Sequence, residues 1–493
     1  MFVTGTLMIV VVVLLLINLA IKLRSEEHPP GPFPWLYIGN YFLLKRLARE
    51  LGGQHLAFSE LSRRYGSEVI TLNLGISKMI VVSGSKSVQT VLESEEFDGR
   101  PWNEFIKIRN FGKKQGVTMN DGPHWKFLRK WTIWTLKSLG FGKYGMSEMI
   151  KEELTIALES LKKGGVYRLK PVISPVVINV LWRLSTGARF SENARLDYFV
   201  DLMERRARVF DMAGGILSSF PWIRYVAPEA SGYKLLVTLN TKLKEFLMEI
   251  IVEHKEKYVA GSEADLIDMF IHEMVNEKGE DPIFTDDQLV MIMIDLFLAG
   301  VTTTETTLEL LFLNMVVHQD VQRKLQQEID SVIPPDRLPD LSDMPKLPYA
   351  RAVMTETQRR WTVIPVIGPR RVLQKTRLEN YRIPKDSTVL INLNSVHMDP
   401  DIFPDPEKFQ PERFLKDGEF DNAPNTLFFG KGKRRCPGDV LAKTALFLLF
   451  IGVMQKYSLL PVPGKGPTSI EVTSGILISP KPYDILVVPR INN

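Results

Sequence analysis

The hydropathy pattern is most extreme at the start of the chain. No charged residue occurs from Met1 to Ile21, and the stretch VVVLLLINLAI is uniformly apolar. About 20 such residues in a helix match the hydrocarbon thickness of a bilayer, so residues 1–23 are predicted to form a transmembrane anchor. Lys22 and Arg24 follow directly, and the positive-inside bias places the rest of the chain in the cytosol. A cleaved signal peptide is the other reading, but it lacks a basic start and a small-residue cleavage site. Residues 24–35, with Pro29-Pro30-Gly31-Pro32-Phe33-Pro34, cannot be helix and read as a stiff, extended spacer. Residues 36–493 contain no second linker and no internal repeat.

Within that body, SEVITLNLGISKMIVVS (residues 67–83) alternates around a glycine and predicts a hairpin. From about 85 to 330 the apolar spacing is helical, best formed near 124–138, 150–162, 233–258, 286–316 and 318–331. Short β-rich pieces (RRVLQ, YRIP, STVLINL) follow residue 370. A helix is then expected from about 437 to 456, and the tail returns to strands at ILISP and YDILVVP. The predicted fold is mainly α, one large helical body with small peripheral sheets.

Composition narrows the class. The 493 residues are 45% hydrophobic and 24% charged, which excludes disorder and low complexity. Lys+Arg 62 against Asp+Glu 57 gives a net charge of +5, too slight for a dedicated nucleic-acid binder. One cysteine excludes an intramolecular disulfide and any multi-cysteine zinc site. Cysteine chemistry, if any, belongs to Cys436.

That cysteine closes the run Phe429-Gly430-Lys431-Gly432-Lys433-Arg434-Arg435-Cys436-Pro437-Gly438, just before an apolar helix. A helix N-terminus favours an anion, so the thiol is expected to have a lowered pKa and to be present as thiolate. Pro437 suits a first helical turn, leaving the Gly438 and Asp439 amides free to face the sulfur. Gly430 and Gly432 let the backbone pass close to something flat and bulky. A thiolate presented this way suits an axial ligand to haem iron. The alternative is a buried cysteine acting as a small hydrophobe.

F-x-x-G-x-R-x-C-x-G is the haem-loop signature of the cytochrome P450 family, and this sequence resembles it at every fixed position. The resemblance covers nearly the whole chain. It implies haem with Cys436 as the metal ligand, and Phe429, Gly432 and Arg434 as cofactor-binding positions. Glu356 and Arg359, with Pro411-Glu412-Arg413-Phe414, match the family's E-x-x-R helix and its partner arginine, implying a buried bracing network. Trp125-x-x-x-Arg129, Arg100 in Phe97-Asp98-Gly99-Arg100-Pro101, and Arg370 after Pro365-x-x-x-Pro369 match propionate-binding positions. Family members often carry histidine where Arg370 stands.

Residues 289–312 are apolar all round and predict a buried helix. Ala299-Gly300-Val301-Thr302-Thr303-Thr304 resembles the family's oxygen-activating A-G-x-(D/E)-T-T. Gly300 is expected to leave room for dioxygen, and Thr303 to back-bond a carbonyl so that the helix opens locally. A small-residue packing site is the plainer reading. Thr302 replaces the usual acid, and Glu305, three residues on, cannot simply stand in for it.

Further stretches such as ILSSFPWIRYVAPEASGYKLL resemble the microsomal branch of the family. That likeness implies an endoplasmic reticulum membrane enzyme taking NADPH-derived electrons from a flavoprotein reductase. Lys126, Lys130, Lys137, Lys431, Lys433 and Arg435 are candidates for a basic docking face, or for an ordinary solvated surface. The segment Phe210–Val226 is either an interfacial patch or core. The substrate wall is expected from residues 101–120, the surroundings of Phe297, Thr362–Val366 and Ser474–Leu477. Those stretches are mostly apolar, suiting a terpenoid or steroid better than an acid. The overall texture is most similar to insect members of the branch, which implies epoxidation of methyl farnesoate to juvenile hormone. Hydroxylation of steroids or xenobiotics, a non-redox isomerase or dehydratase of oxygenated lipids, and a haem-binding protein without catalysis are the rival readings.

Overall fold

The computed structural model describes residues 11–13, 27–142, 144–190, 193–209, 215–421 and 426–490. The anchor expected at 1–23 lies outside the described residues except for Val11–Val13, which are helical and exposed. The body is mainly α with small sheets, as the periodicity predicts. Its principal helices are α1 (Pro123–Ser138), α2 (Tyr144–Leu161), α3 (Lys170–Thr186), α4 (Asn193–Val209), α5 (Tyr233–Lys257), α6 (Asp286–Val317), α7 (Pro348–Arg360) and α8 (Asp439–Lys456).

Helix α6 is the axis of the core. Thr285 caps it by accepting the Gln288 N–H at 3.2 Å, and Asp286 and Asp287 complement the positive end of its dipole. Its 32 residues extend about 48 Å. Leu289 to Ile294, Leu308 and Leu310 to Val316 are buried against α3, α8 and their neighbours. Length and apolarity alone would let α6 cross a membrane, but most of its surface is enclosed by protein. The all-round burial expected of it is incomplete, at Leu296, Leu298 and Glu309 and above all at mid-helix. Ala299 is exposed, and Gly300 to Thr303 are half-buried, so a window opens at mid-helix.

The largest sheet holds four strands, β1 (Val69–Leu74), β2 (Ser77–Val82), β3 (Val366–Arg371) and β4 (Thr388–Asn392), in the order β1-β2-β4-β3. The pair β2–β4 is parallel and the other two are antiparallel. Side chains alternate between two cores, Ile70, Leu72 and Val81 on one face and Val69, Ile80 and Val82 on the other. Burial on both faces explains why these strands are so apolar.

The proline-rich stretch is docked from Pro30 onward. The Thr71 N–H donates to the Pro30 carbonyl at 2.7 Å, and Asn40 Nδ2 donates to the Phe33 carbonyl at 2.9 Å. Any free spacer is therefore shorter than residues 24–35. Just beyond it, Trp35, Leu36, Tyr37 and Phe42 are exposed. The Ile76 N–H donates to the Ser219 carbonyl at 3.2 Å, and Tyr41 and Phe220 pack edge to face with centroids 5.2 Å apart. The start of the body, the β1–β2 turn and the 215–226 segment thus form one surface. Phe210 to Gly214 lie outside the described residues. The remainder of Phe210–Val226 divides: Leu217 is core, whereas Trp222, Tyr225 and Val226 are exposed.

Candidate active site

The cysteine loop is closed by its own backbone. The Cys436 N–H donates to the Phe429 carbonyl at 2.9 Å and the Arg435 N–H to the Gly432 carbonyl at 3.1 Å. Gly432 has φ +69°, and a Cβ there would collide with the Leu92 carbonyl oxygen. Both the backbone angle and the close approach require glycine. Helix α8 begins at Asp439 with Gly438 as its N-cap, so Pro437 lies before the helix and not in its first turn. The Gly438 N–H does face the sulfur. The expected lowering of the thiol pKa is nevertheless wrong in sign. Burial pushes the Cys436 thiol up and Asp439 adds to this, outweighing the Gly438 N–H, Arg129 and Arg435.

Four arginines converge beside the loop. The Arg371 N–H donates to the Gly99 carbonyl at 2.8 Å, tying the 97–101 segment to β3 and bringing Arg100 beside Arg370. Arg100 donates to the Thr118 carbonyl at 2.9 Å and the Pro369 carbonyl at 2.7 Å. Arg370 Nη1 donates to Asp98 Oδ1 at 3.0 Å. Arg434 donates to the carbonyls of Asp98 at 2.8 Å and Asn120 at 2.9 Å, and its guanidinium lies 3.3 Å from the Trp125 ring centroid. Trp125 Nε1 donates to the Val117 carbonyl at 2.9 Å, and Arg129 donates to the Arg435 carbonyl.

Burial, reinforced by Arg370, Arg434 and Arg129, holds Arg100 well below the usual guanidinium range. Arg434 is pulled down to about 9 by burial and then by Arg370. Burial lowers Arg370 to about 10 and also lowers Arg129. Arg370 Nε and Arg434 Nη2 are buried with no hydrogen-bond partner among the described residues. Such a cluster is short of negative charge and retains spare donors. The two propionates of haem fit both deficits, and the neighbouring sulfur fits its iron.

On α6, Thr303 Oγ1 donates to the Ala299 carbonyl at 2.6 Å, the back-bond anticipated from the sequence. Gly300 has a different reason from the one expected. A Cβ there would stand 2.7 Å from Leu181 Cδ1, so the glycine admits α3, and the accessible surface lies at Ala299. Glu305 is buried, and that burial raises its pKa. Ser174 and Lys170 oppose the rise. At two residues beyond Thr303 it projects from the opposite side of the helix. Thr302, three residues before Glu305, is its neighbour on the helix surface, but Glu305 is engaged with Ser174 and Lys170 of α3.

The bracing network is complete. Arg359 donates to both oxygens of Glu356, at 2.7 and 2.9 Å, and Arg413 Nε reaches Glu356 at 3.1 Å. Sequence reading missed the residue that extends this network to the cysteine loop. Arg359 Nη1 donates to the His397 carbonyl at 2.8 Å, and His397 Nε2 accepts the Leu427 N–H at 3.0 Å. That bond assigns the proton to Nδ1, which donates to Thr362 Oγ1 at 2.7 Å. Thr362 is thus tied through its hydroxyl to Arg359 and His397 in the interior. A lone histidine carries no motif, so only the fold reveals it.

Burial, with help from Arg359, holds His397 down at about 3. An unfolded histidine titrates near 6.5, so between those values only the unfolded chain binds the proton. This stability is fully present above pH 6.5 and is lost as the pH falls towards 3. The expected loss is about 1.4 kcal/mol per pH unit from this residue. Denaturant titrations from pH 7 to 5 check it, and His397→Asn should flatten the slope.

The expected basic face is partly neutralised. Lys431 pairs with Glu93 at 3.2 Å, Lys433 with Glu95 at 2.5 Å, and Arg435 with Asp439. Lys126, Lys130 and Lys137 are exposed.

Comparison with known proteins agrees with this geometry. The family model described as "Cytochrome P450" matches residues 29–487. The chain is 36% identical to a probable cytochrome P450 305a1 of Drosophila melanogaster, with 95% of each chain covered. It is 35% identical to a farnesoate epoxidase of Bombyx mori, again over 95% of each, and 31% identical to cytochrome P450 2J5 of Mus musculus, over 98% of this chain and 95% of that one. The protein belongs to the cytochrome P450 family of haem-thiolate monooxygenases.

Proposed function

We propose that this enzyme oxygenates a lipophilic farnesoid chain, epoxidising it in the formation of juvenile hormone. The observation that carries the class is the charge-deficient arginine cradle beside the sole cysteine. The substrate reading draws on the farnesoate epoxidase relative. When bound, the haem supplies reductive activation of dioxygen at an iron whose thiolate ligand favours O–O cleavage.

Cys436 is the ligand, held at the entrance of α8. Arg100, Arg129, Arg370 and Arg434 hold the propionates, with Trp125 stacked on Arg434. Phe429 and Gly432 set the loop conformation. Ala299 gives the open surface for oxygen and substrate, Gly300 lets α6 pack there, and Thr302 and Thr303 supply hydroxyls for proton transfer. Residues 1–23 anchor the chain in the endoplasmic reticulum membrane with the body facing the cytosol. The exposed Trp35–Phe42 and Trp222–Val226 surfaces extend that contact at the interface. Electrons come from NADPH through a flavoprotein reductase docking near Lys126, Lys130 and Lys137.

The test is product analysis with purified protein, reductase and NADPH on farnesoids, steroids and drug-like probes. Epoxidised farnesoid is expected, and turnover of the steroids or drugs alone would refute the substrate reading. Product formed without NADPH would instead indicate an isomerase or dehydratase.

A hydroxyl relays a proton but cannot store a charge, so with Thr302 in place of an acid the burden falls on Thr303 and water. Thr303→Ala is expected to lower product per NADPH about tenfold. An unchanged ratio would mean that protons reach the site by another route.

A further inference from the structure

We propose that Arg206 binds the carboxylate end of the substrate, so that the enzyme takes acid-headed lipophilic chains in preference to their esters. Arg206, on α4, is fully buried. Its Nε donates to Asn240 Oδ1 at 2.8 Å and its Nη2 to the Arg109 carbonyl at 3.2 Å, both neutral acceptors. Its Nη1 is buried with no hydrogen-bond partner among the described residues. One edge of the guanidinium fork is therefore occupied, and the nitrogen beyond it retains its donors.

The nearby carboxylate is already engaged. Asp295, on α6, pairs with Arg109 and accepts from Thr118 Oγ1 at 2.5 Å and from the N–H groups of Val117 and Thr118 at 2.8 and 2.9 Å. Among the described residues, Asp295 is thus committed to Arg109 and leaves Arg206 no carboxylate bond of its own. Burial and then Arg109 pull the Arg206 guanidinium down to about 9, with Asp295 only partly offsetting them. An uncompensated buried cation is costly, and its ordinary resolution is a counter-ion with hydrogen bonds. A carboxylate supplies both. Arg109 also places a buried charge in the 101–120 segment, expected to be mostly apolar.

Position favours the substrate as the source of that carboxylate. The cluster joins α4, α5 through Asn240, the 101–120 segment through Arg109, and α6 through Asp295. Asp295 and Ala299 are one turn apart on the same stripe of α6, and Thr303 continues it. Eight residues separate Asp295 from Thr303, about 12 Å along the helix. An extended chain advances about 1.2 Å per bond, so about ten bonds span that distance. Phe105 and Ile106, one turn before Arg109, and Leu236, one turn before Asn240, belong to one small apolar cluster beside this polar group.

The proposal rests on the reading that the site oxidises a lipophilic chain near Thr303, and the test separates the two. The haem-loaded full chain is titrated at neutral pH with farnesoic acid, its methyl ester, dodecanoic acid and methyl dodecanoate, and the Soret shift on binding is followed. Each acid is expected to bind about tenfold more tightly than its ester. Arg206→Gln should remove that preference by weakening acid binding about tenfold, leaving the esters within about twofold. Arg206→Lys should restore part of it. Equal or tighter ester binding by the unaltered protein overturns the proposal, and this comparison decides even if Arg206→Gln does not fold. An acid preference that survives Arg206→Gln also overturns it. Arg206-dependent acid binding without farnesoid oxidation would sustain the subsite and refute the terpenoid reading.

Discussion

Arg359→Leu is expected to abolish accumulation of haem-loaded protein. Arg359 is fully buried, with Glu356 equally buried beside it. Besides the two bonds to Glu356, its guanidinium satisfies the carbonyls of His397 and Pro406, each at 2.8 Å. Leucine leaves a carboxylate and two carbonyls without that donor. Removing one partner of a buried pair costs about 3–5 kcal/mol. That is a large part of the roughly 5–15 kcal/mol that stabilises a folded domain. The damage is also directed at the site, because the His397 segment held by Arg359 receives the Leu427 N–H two residues before Phe429. Arg359→Lys is expected to fail as well, since a point charge cannot reproduce a planar fork serving four acceptors. Haem content per polypeptide and the thermal midpoint check this. A leucine variant with normal haem content would show that the network does not brace the loop.

How much of this was legible from sequence depended on whether a feature is contiguous. The helices ran close to their apolar periods, and the cysteine loop announced itself because its glycines, arginine and cysteine lie within ten residues. The Arg359–Glu356 pair was readable because three residues place two side chains on one helical face.

Depth was not readable. The helix end at Cys436 favours an anion, but burial of the sulfur outweighs it. Gly300 looked like space for a ligand, and only the packing of Leu181 shows that a neighbouring helix uses it. Nor were assemblies drawn from distant segments. Arg109, Arg206, Asn240 and Asp295 span 187 positions and carry no motif, yet the fold brings them into hydrogen-bond contact through four elements. His397 was hidden for the same reason.

The central claim is that Cys436 is the thiolate ligand of the haem, and its replacement has the other large effect. The family assignment gives the ligand type, and we assign it to the only cysteine, at the entrance of α8, beside four crowded arginines, two of which, Arg370 and Arg434, keep spare donors. Those arginines do not depend on the sulfur, since their contacts run to backbone carbonyls and to Asp98. Cys436→His is therefore expected to retain a haem-binding cradle while changing the axial ligand from thiolate to imidazole, with loss of monooxygenase turnover. The direct measurement is the absorption spectrum of the reduced carbon monoxide complex, whose strongly red-shifted Soret band reports thiolate ligation. The unaltered protein should show that band and Cys436→His should lack it. A Cys436→His protein that kept the red-shifted band would contradict the assignment.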